Sequence, residues 1–133
     1  MSTRETLLAA IATTLSGVAS GRVYRSRREQ MGTLPAVVVE PIEESGSEYV
    51  LGYCDRRLAV GVSVFAKGDT PDNAADATLA AAWAALAAAP TLGLGDGVQL
   101  DMEHAVDWDI EEIDHCRAVL RVTYSYRTAT GSM

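Results

Sequence analysis

The sequence predicts an α+β fold, an antiparallel or mixed sheet with two helices packed on one face, in the order α-β-β-β-α-β-β. Three observations lead there. Two segments place apolar residues at helical spacing. Three others, 56–66, 98–111 and 116–127, alternate with period two, the mark of strands with one buried face. The strands also cluster between and after the helices instead of alternating with them, which argues against a wound parallel sheet.

Ser2 and Glu5 have capping-box spacing at the start of the first helix. Leu7, Leu8, Ile11, Leu15 and Val18 recur behind it, so a helix is expected from about Thr3 to Ser16, ended by Gly17 and Gly21. Arg22 to Arg27 reads as a short strand, and Arg28 to Thr33 as a polar loop. Pro35 opens a second strand, Ala36 to Glu43, rich in β-branched valine. Pro41 cannot donate to a ladder, so this strand lies at an edge or carries a bulge there. The acidic stretch Glu43 to Gly52 is either a loop or the tip of a long hairpin.

Arg56 to Ala66 alternates, with Leu58, Val60, Val62 and Val64 on one face. Thr70 and Pro71 are a helix start, a capping hydroxyl followed by proline at the first position. The second helix is expected to run to Ala89, with Leu79, Trp83 and Leu86 as its bulky stripe and many alanines that raise helix propensity. Thr91 to Gly97 is a glycine-rich loop.

From Val98 to Glu111 a single long strand is expected. Val98, Leu100, Met102, His104, Val106, Trp108 and Ile110 form one face, and Asp101, Glu103, Asp107, Asp109 and Glu111 dominate the other. The last strand opposes Cys116, Ala118, Leu120, Val122, Tyr124 and Tyr126 to Arg117, Arg121 and Arg127. A turn around Ile113 to His115 joins them into a hairpin. Matching the apolar faces requires paired numbers with an even sum. A sum of 228 sets Glu111 opposite Arg117, Asp107 opposite Arg121 and Asp101 opposite Arg127, each pair contributing about 0.2–1 kcal/mol. Residues 128–133 are expected to be a disordered tail of a single domain, 1–133.

The totals bound the function. At 133 residues the chain suits one domain with a real core. A net charge of −7 disfavours tight nucleic-acid wrapping, since phosphates need Lys and Arg to displace their counterions. It also disfavours an anionic membrane surface. No signal-peptide pattern opens the chain, and no apolar run approaches the roughly 20 residues of a membrane span. Synthesis in the cytosol is therefore expected.

Chemistry is sparsely represented. Cys54 and Cys116 form no close pair, and Cys116 sits in an apolar row as a buried thiol. Ser63 and Ser125 lie inside strands without a nucleophile elbow. In Asp114-His115-Cys116, neighbouring strand residues point in opposite directions and cannot close on one metal. His104 reads as an interior or rim histidine. The acidic row could suggest paired-carboxylate catalysis, but it lies on a flat strand opposite arginines. The loop at Gly93 to Gly97 lacks the lysine and helix start of a phosphate loop. No cofactor, metal or catalytic group is expected.

Several short motifs, in order, resemble the tail terminator (tail completion) proteins of long-tailed bacteriophages. They are Arg22-Val23-Tyr24 after the first helix, Leu34-Pro35-Ala36-Val37-Val38-Val39, the strand Arg57-Leu58-Ala59-Val60-Gly61-Val62, the turn Ala89-Pro90-Thr91-Leu92-Gly93, and the closing Val122-Thr123-Tyr124-Ser125-Tyr126-Arg127. The resemblance covers nearly the whole chain and departs at the glycine-rich loop. It implies an α+β subunit of a hexameric ring that caps the tail tube, ends its polymerisation and joins the filled head. The implied partners are further copies of the chain, the tail tube protein and a head–tail connector or neck protein, in the virion at the head-proximal end of the tail. DNA would pass through the ring without specific binding.

On this reading, acidic residues Glu43, Glu44, Glu48, Asp101, Glu103, Asp107, Asp109 and Glu111 are candidates to line the lumen or an interface. Arg22, Arg25, Arg27 and Arg28 are candidate subunit or tube contacts, and so are the loops 28–33 and 43–52. Two alternatives stand beside it: a neck or head–tail connector subunit, and a small-molecule-binding or enzymatic α+β domain.

Overall fold

The computed structural model describes residues 2–25, 33–95, 97–112 and 115–129, excepting the side chains of 48–50 and 110–112. Their order is α1 (Thr3–Thr14), β1 (Val23–Arg25), β2 (Ala36–Val50), β3 (Tyr53–Lys67), α2 (Pro71–Ala88), β4 (Val98–Leu100), β5 (Ala105–Glu112) and β6 (His115–Ala129). The expected α+β order holds, with the strand anticipated from Val98 onward divided in two. The sheet runs β1-β2-β3-β6-β4, and β5 joins the same flank of β6 as β4. β1 is parallel to β2 and the remaining pairs are antiparallel.

α1 starts as its spacing predicts, with the Ser2 hydroxyl accepting from the Glu5 amide at 3.1 Å. The reciprocal half of the capping box is not made. The Glu5 carboxylate instead accepts two bonds from Arg25, at 3.0 and 3.1 Å. The helix stops at Thr14, short of Ser16, where the Leu15 amide closes on the Ile11 carbonyl. A tight turn at Val18–Gly21 follows, with Ala19 and Ser20 both left-handed at φ 53° and 55°.

In α2, Pro71 occupies the first position as expected, but Thr70 makes no side-chain cap. Ala75, Thr78, Leu79, Ala82 and Leu86 are its buried face, while Trp83 only leans on the core.

The core lies between this helical layer and one face of the sheet. Leu7, Leu8, Ile11 and Leu15 of the first helical segment meet Val37 and Val39 of β2, the even-numbered residues of β3 from Leu58 to Ala66, and those of β6 from Cys116 to Tyr126. Fully burying one such Leu or Val side chain contributes about 1.5–3 kcal/mol. Cys116 is buried, as its place in the apolar row predicts. Tyr124 is 0% exposed and its hydroxyl has no partner, and burial pushes its phenol well above the usual range.

The acidic stretch 43–52 resolves as the long hairpin. β2 and β3 pair from Ala36–Phe65 out to Val50–Tyr53, closing on a turn at Leu51 and Gly52, whose φ is +90°. Pro41 sits at a bulge. Pro41 opposes Val60, Glu43 opposes Ala59, and Ile42 is the extra residue. Ile42 folds over the other side of Gly61, where an added Cβ would lie 3.1 Å from its Cδ1.

The final hairpin departs from expectation. β4 pairs with β6 as Leu100–Tyr124 and β5 as Ala105–Arg121, so two extra residues are absorbed between them. An even number of extra residues preserves which face each side chain takes but moves its partner. The pairing of β5 therefore sums to 226, not 228. Asp109, not Glu111, opposes Arg117, Asp107 opposes Val119, and Ala105 takes the place opposite Arg121. Asp101 lies beside Thr123, its amide donating to that carbonyl at 2.9 Å, far from Arg127. The anticipated apolar face is buried at Val98 and Leu100, but Met102 and Trp108 are 54% and 47% exposed where the strand breaks and runs out along the edge. His115 begins β6 rather than sitting in a turn, and Ile113 and Asp114 fall outside the described residues. Thr128 and Ala129, anticipated in a tail, complete β6, and 130–133 fall outside the described residues.

Candidate assembly surface

The face of the sheet turned away from the helices carries the odd-numbered side chains of β3 and β6. Their pairing brings opposite charges together across strands. Arg127 opposes Asp55 and donates to both its oxygens, at 2.7 and 3.3 Å. Arg57, on the same face, reaches Asp101 at 2.8 Å. Arg121 reaches Glu43 at 3.5 Å across the intervening Gly61 row. Arg117 lies over the Phe65 ring, 5.9 Å from its centroid. The arrangement is wet and balanced in charge rather than a single acidic field.

Electrostatics follows this pairing. The Arg127 hydrogen bond holds the Asp55 carboxyl below its usual range. Asp101 is held down first by the Glu103 amide, which donates to it at 3.0 Å, and then by Arg57. Glu5 is held down by its bonds from Arg25. These pairs are exposed, so each is worth little in stability.

The acidic candidates therefore divide. Glu43, Asp101, Asp107 and Asp109 lie on the wet face, Asp101 and Glu43 with arginine partners, and Glu103 is exposed in the break between β4 and β5. Glu44 is turned the other way. The bulge at Ile42 sets it opposite Leu58 on the core side, where it pairs with Arg4 and accepts from the Tyr126 hydroxyl. Nothing in the numbering of the sequence marks Glu44 as inward, because the bulge changes the parity of the strand. Glu48 and Glu111 have described backbones in β2 and β5 only.

Of the arginine candidates, Arg22 donates through Nε to the Pro35 carbonyl at 2.9 Å, and Arg25 is committed to Glu5. Both brace the β1 region against its own chain. Arg27 and Arg28, and loop residues 28–32, lie outside the described residues. A second arginine group, missed in the sequence, stands at the far end of the sheet. Arg56, Arg57 and Arg127 line a 540 Å³ cleft with Asp55, Gln99 and Ser125. The residues are spread over three segments of the chain, and only strand pairing assembles them.

Ser63 is buried in the central strand. His104 is a rim histidine, stacked on Trp83 with ring centroids 4.0 Å apart. Among the described residues no three His, Cys, Asp or Glu side chains are grouped to hold a metal ion. No described helix is long and apolar enough to cross a membrane.

The two ends of the sheet differ in character. At the hairpin end, Leu51 is 92% exposed and Tyr53 51%, with Arg127 over the Tyr53 ring. At the opposite end, Trp108 and Asp72, Asn73 and Asp76 of the first two turns of α2 line a 270 Å³ depression.

No family model matches the chain, and no curated protein matches it. Among solved structures, the fold is similar to that of a chain from the virion of a native gene transfer agent (GTA) particle. The two share 18% sequence identity with a TM-score of 0.63, over 92% of this chain and 95% of that one. At that identity the likeness is one of fold, and it spans both chains almost entirely.

Proposed function

We propose that this chain is a structural, non-catalytic subunit of a phage or phage-derived virion, and that within it the chain acts as a tail terminator. A ring of copies caps the tail tube, ends its growth and presents the surface that meets the head. The observation that carries the reading is the fold similarity to a chain of a gene transfer agent virion, which extends over nearly the full length of both. The sequence motifs that resemble tail terminators point to the same station.

The geometry suits such a subunit. Three strands of 15 residues form a stiff platform whose outer face is polar and paired in charge. Of the acids whose side chains are described, Glu43, Asp101, Glu103, Asp107 and Asp109 remain candidates for a DNA-facing surface, while Glu44 serves the interior. A carboxylate-rich wall would repel the phosphate backbone and let DNA slide.

The test is growth of the tail tube in vitro. Purified protein added to polymerising tube protein should arrest growth at a fixed length and appear as a ring at one tube end by electron microscopy. Six chains of 14.1 kDa would scatter light as a particle of about 85 kDa. Binding to the head connector without any effect on tube growth would instead identify a neck subunit.

A further inference from the structure

The outer face of β3 and β6 carries four arginines, and three of them hold a carboxylate. Arg57 is bonded to Asp101, Arg121 reaches Glu43, and Arg127 grips Asp55. Arg117 is the exception. Asp109 stands directly opposite it on β5, yet the guanidinium turns the other way and lies over the Phe65 ring of β3. Its Nε–H is buried with no acceptor, and among the described residues no carboxylate is bonded to it.

Arg117 also lines a 240 Å³ depression in that face. The register explains the shape. Gly61 lies between Glu40 of β2 and Arg121 of β6, and Ser63 between Val38 and Val119. Two small residues in the middle strand leave a hollow between longer side chains, with Pro41 and Ile42 of the bulge on one side and Val119 on the other. Ser63 is 1% exposed, and its hydroxyl makes no hydrogen bond among the described residues. Phe65 is the direct partner of Arg117, so Ser63 is its diagonal neighbour, a separation that a long side chain bridges. The hollow thus joins two unmet donors, a guanidinium N–H and a hydroxyl, to apolar walls.

A buried donor without an acceptor costs free energy until one arrives. The planar fork of a guanidinium matches a carboxylate. Glu40 on the far wall opposes a second negative charge, which favours a monoanion over phosphate. We propose that this hollow binds a carboxylate with a short apolar body, the carboxylate on Arg117 and Ser63 and the body against Pro41, Ile42 and Val119. The group is carried by a free organic acid or by an acidic side chain of a second copy of the chain. The site stands independently of the ring reading.

The test is a titration of the full chain with sodium butyrate, followed by nitrogen–proton correlation NMR. Butyrate should move the Arg117 Nε–H signal and the amides of Gly61, Ser63 and Val119 along one saturable curve, with a dissociation constant on the order of millimolar for so small a ligand. Butyramide, its neutral isostere, should leave them in place. Arg117→Gln should weaken butyrate binding at least about tenfold, the loss of a charge-assisted hydrogen bond. Arg117→Lys, which keeps the charge and loses the fork, should also weaken it, and serves if the glutamine variant fails to fold by circular dichroism. Arg121→Gln, on the same face, should leave binding unchanged. Shifts that do not saturate, that butyramide reproduces, or that the amides still show in both Arg117 variants would overturn the site. Dilution of the protein alone then names the source. An Arg117 signal that changes with protein concentration and is displaced by butyrate identifies the side chain of a second copy, and one independent of concentration identifies a free acid.

Discussion

Tyr124 and Tyr126 lie two residues apart on β6 with side chains on the same face, yet loss of the hydroxyl should have opposite effects at the two sites. The Tyr124 hydroxyl is sealed in the core without a partner. A buried polar group left unpaired costs about 1–3 kcal/mol, so Tyr124→Phe should stabilise the fold by about 1 kcal/mol after allowance for the small void it leaves. The Tyr126 hydroxyl donates to the Glu44 carboxylate. A hydrogen bond to a charged group contributes about 1.5–3 kcal/mol. Because Glu44 keeps its Arg4 partner, the lower end applies, and Tyr126→Phe should cost about 1.5 kcal/mol. The measurement is urea unfolding at one fixed protein concentration, since association would otherwise shift the midpoint. In thermal scans a domain of this size should move by roughly 3–5 °C per kcal/mol. A Tyr124→Phe protein destabilised by about 1 kcal/mol would mean that the hydroxyl is bonded after all and that the core argument is mistaken.

Other consequences can be measured alongside. Glu5, Asp55 and Asp101 are held below their ordinary values in the folded chain, so their contributions are present above the unfolded values near 4 and are lost as pH falls through the lowered folded ones. Stability should therefore drop in acid below about pH 4, and Arg127→Gln should flatten part of that drop; an unchanged acid profile would exclude Asp55 from it. Gly61→Ala should be tolerated or stabilise by about 0.5 kcal/mol, because the neighbour it meets is the end of the half-exposed Ile42 side chain, which has solvent to turn into. A loss above about 1 kcal/mol in urea unfolding would show that Ile42 is locked. Ser20→Gly should gain up to about 1 kcal/mol by relieving a left-handed residue, and an unchanged midpoint would mean that the turn is unstrained.

The strands most legible in the sequence are those whose two faces differ most. β6 alternates aliphatic and polar side chains because helices cover one face and the other is largely open, while in the middle of β3 the alternation is one of size, with the small Ala59, Gly61 and Ser63 buried between larger aliphatics, and period two records both. Parity was legible in the last hairpin too, since one face had to be buried. Register was not. Sums of 226 and 228 both place carboxylates near arginines, and only the two residues absorbed between Leu100 and Ala105 decide between them. The hairpin 43–52 stayed ambiguous because acidic and glycine residues suit a loop as well as a wet strand. The arginine cleft and the Trp108 depression were invisible for a plainer reason: each joins residues that only tertiary pairing brings together. The α+β outline was legible from periodicity and element order, and the fold comparison bears it out over nearly the whole chain.

The bulge at Ile42 has a consequence for how the gene can change length. Pro41 and Glu43 already face consecutive residues of β3, Val60 and Ala59. Excising codon 42 would let the backbone close a regular ladder with every later partner retained, at the loss of the cover over Gly61. Losing one codon at Val62 would be of another order, because β3 is paired on both sides and every residue beyond the cut would exchange its inner and outer faces. Tolerance to a deletion here is thus set by strand geometry and not by distance from a loop, and a length variant in the middle of a central ladder can be milder than one a few codons away.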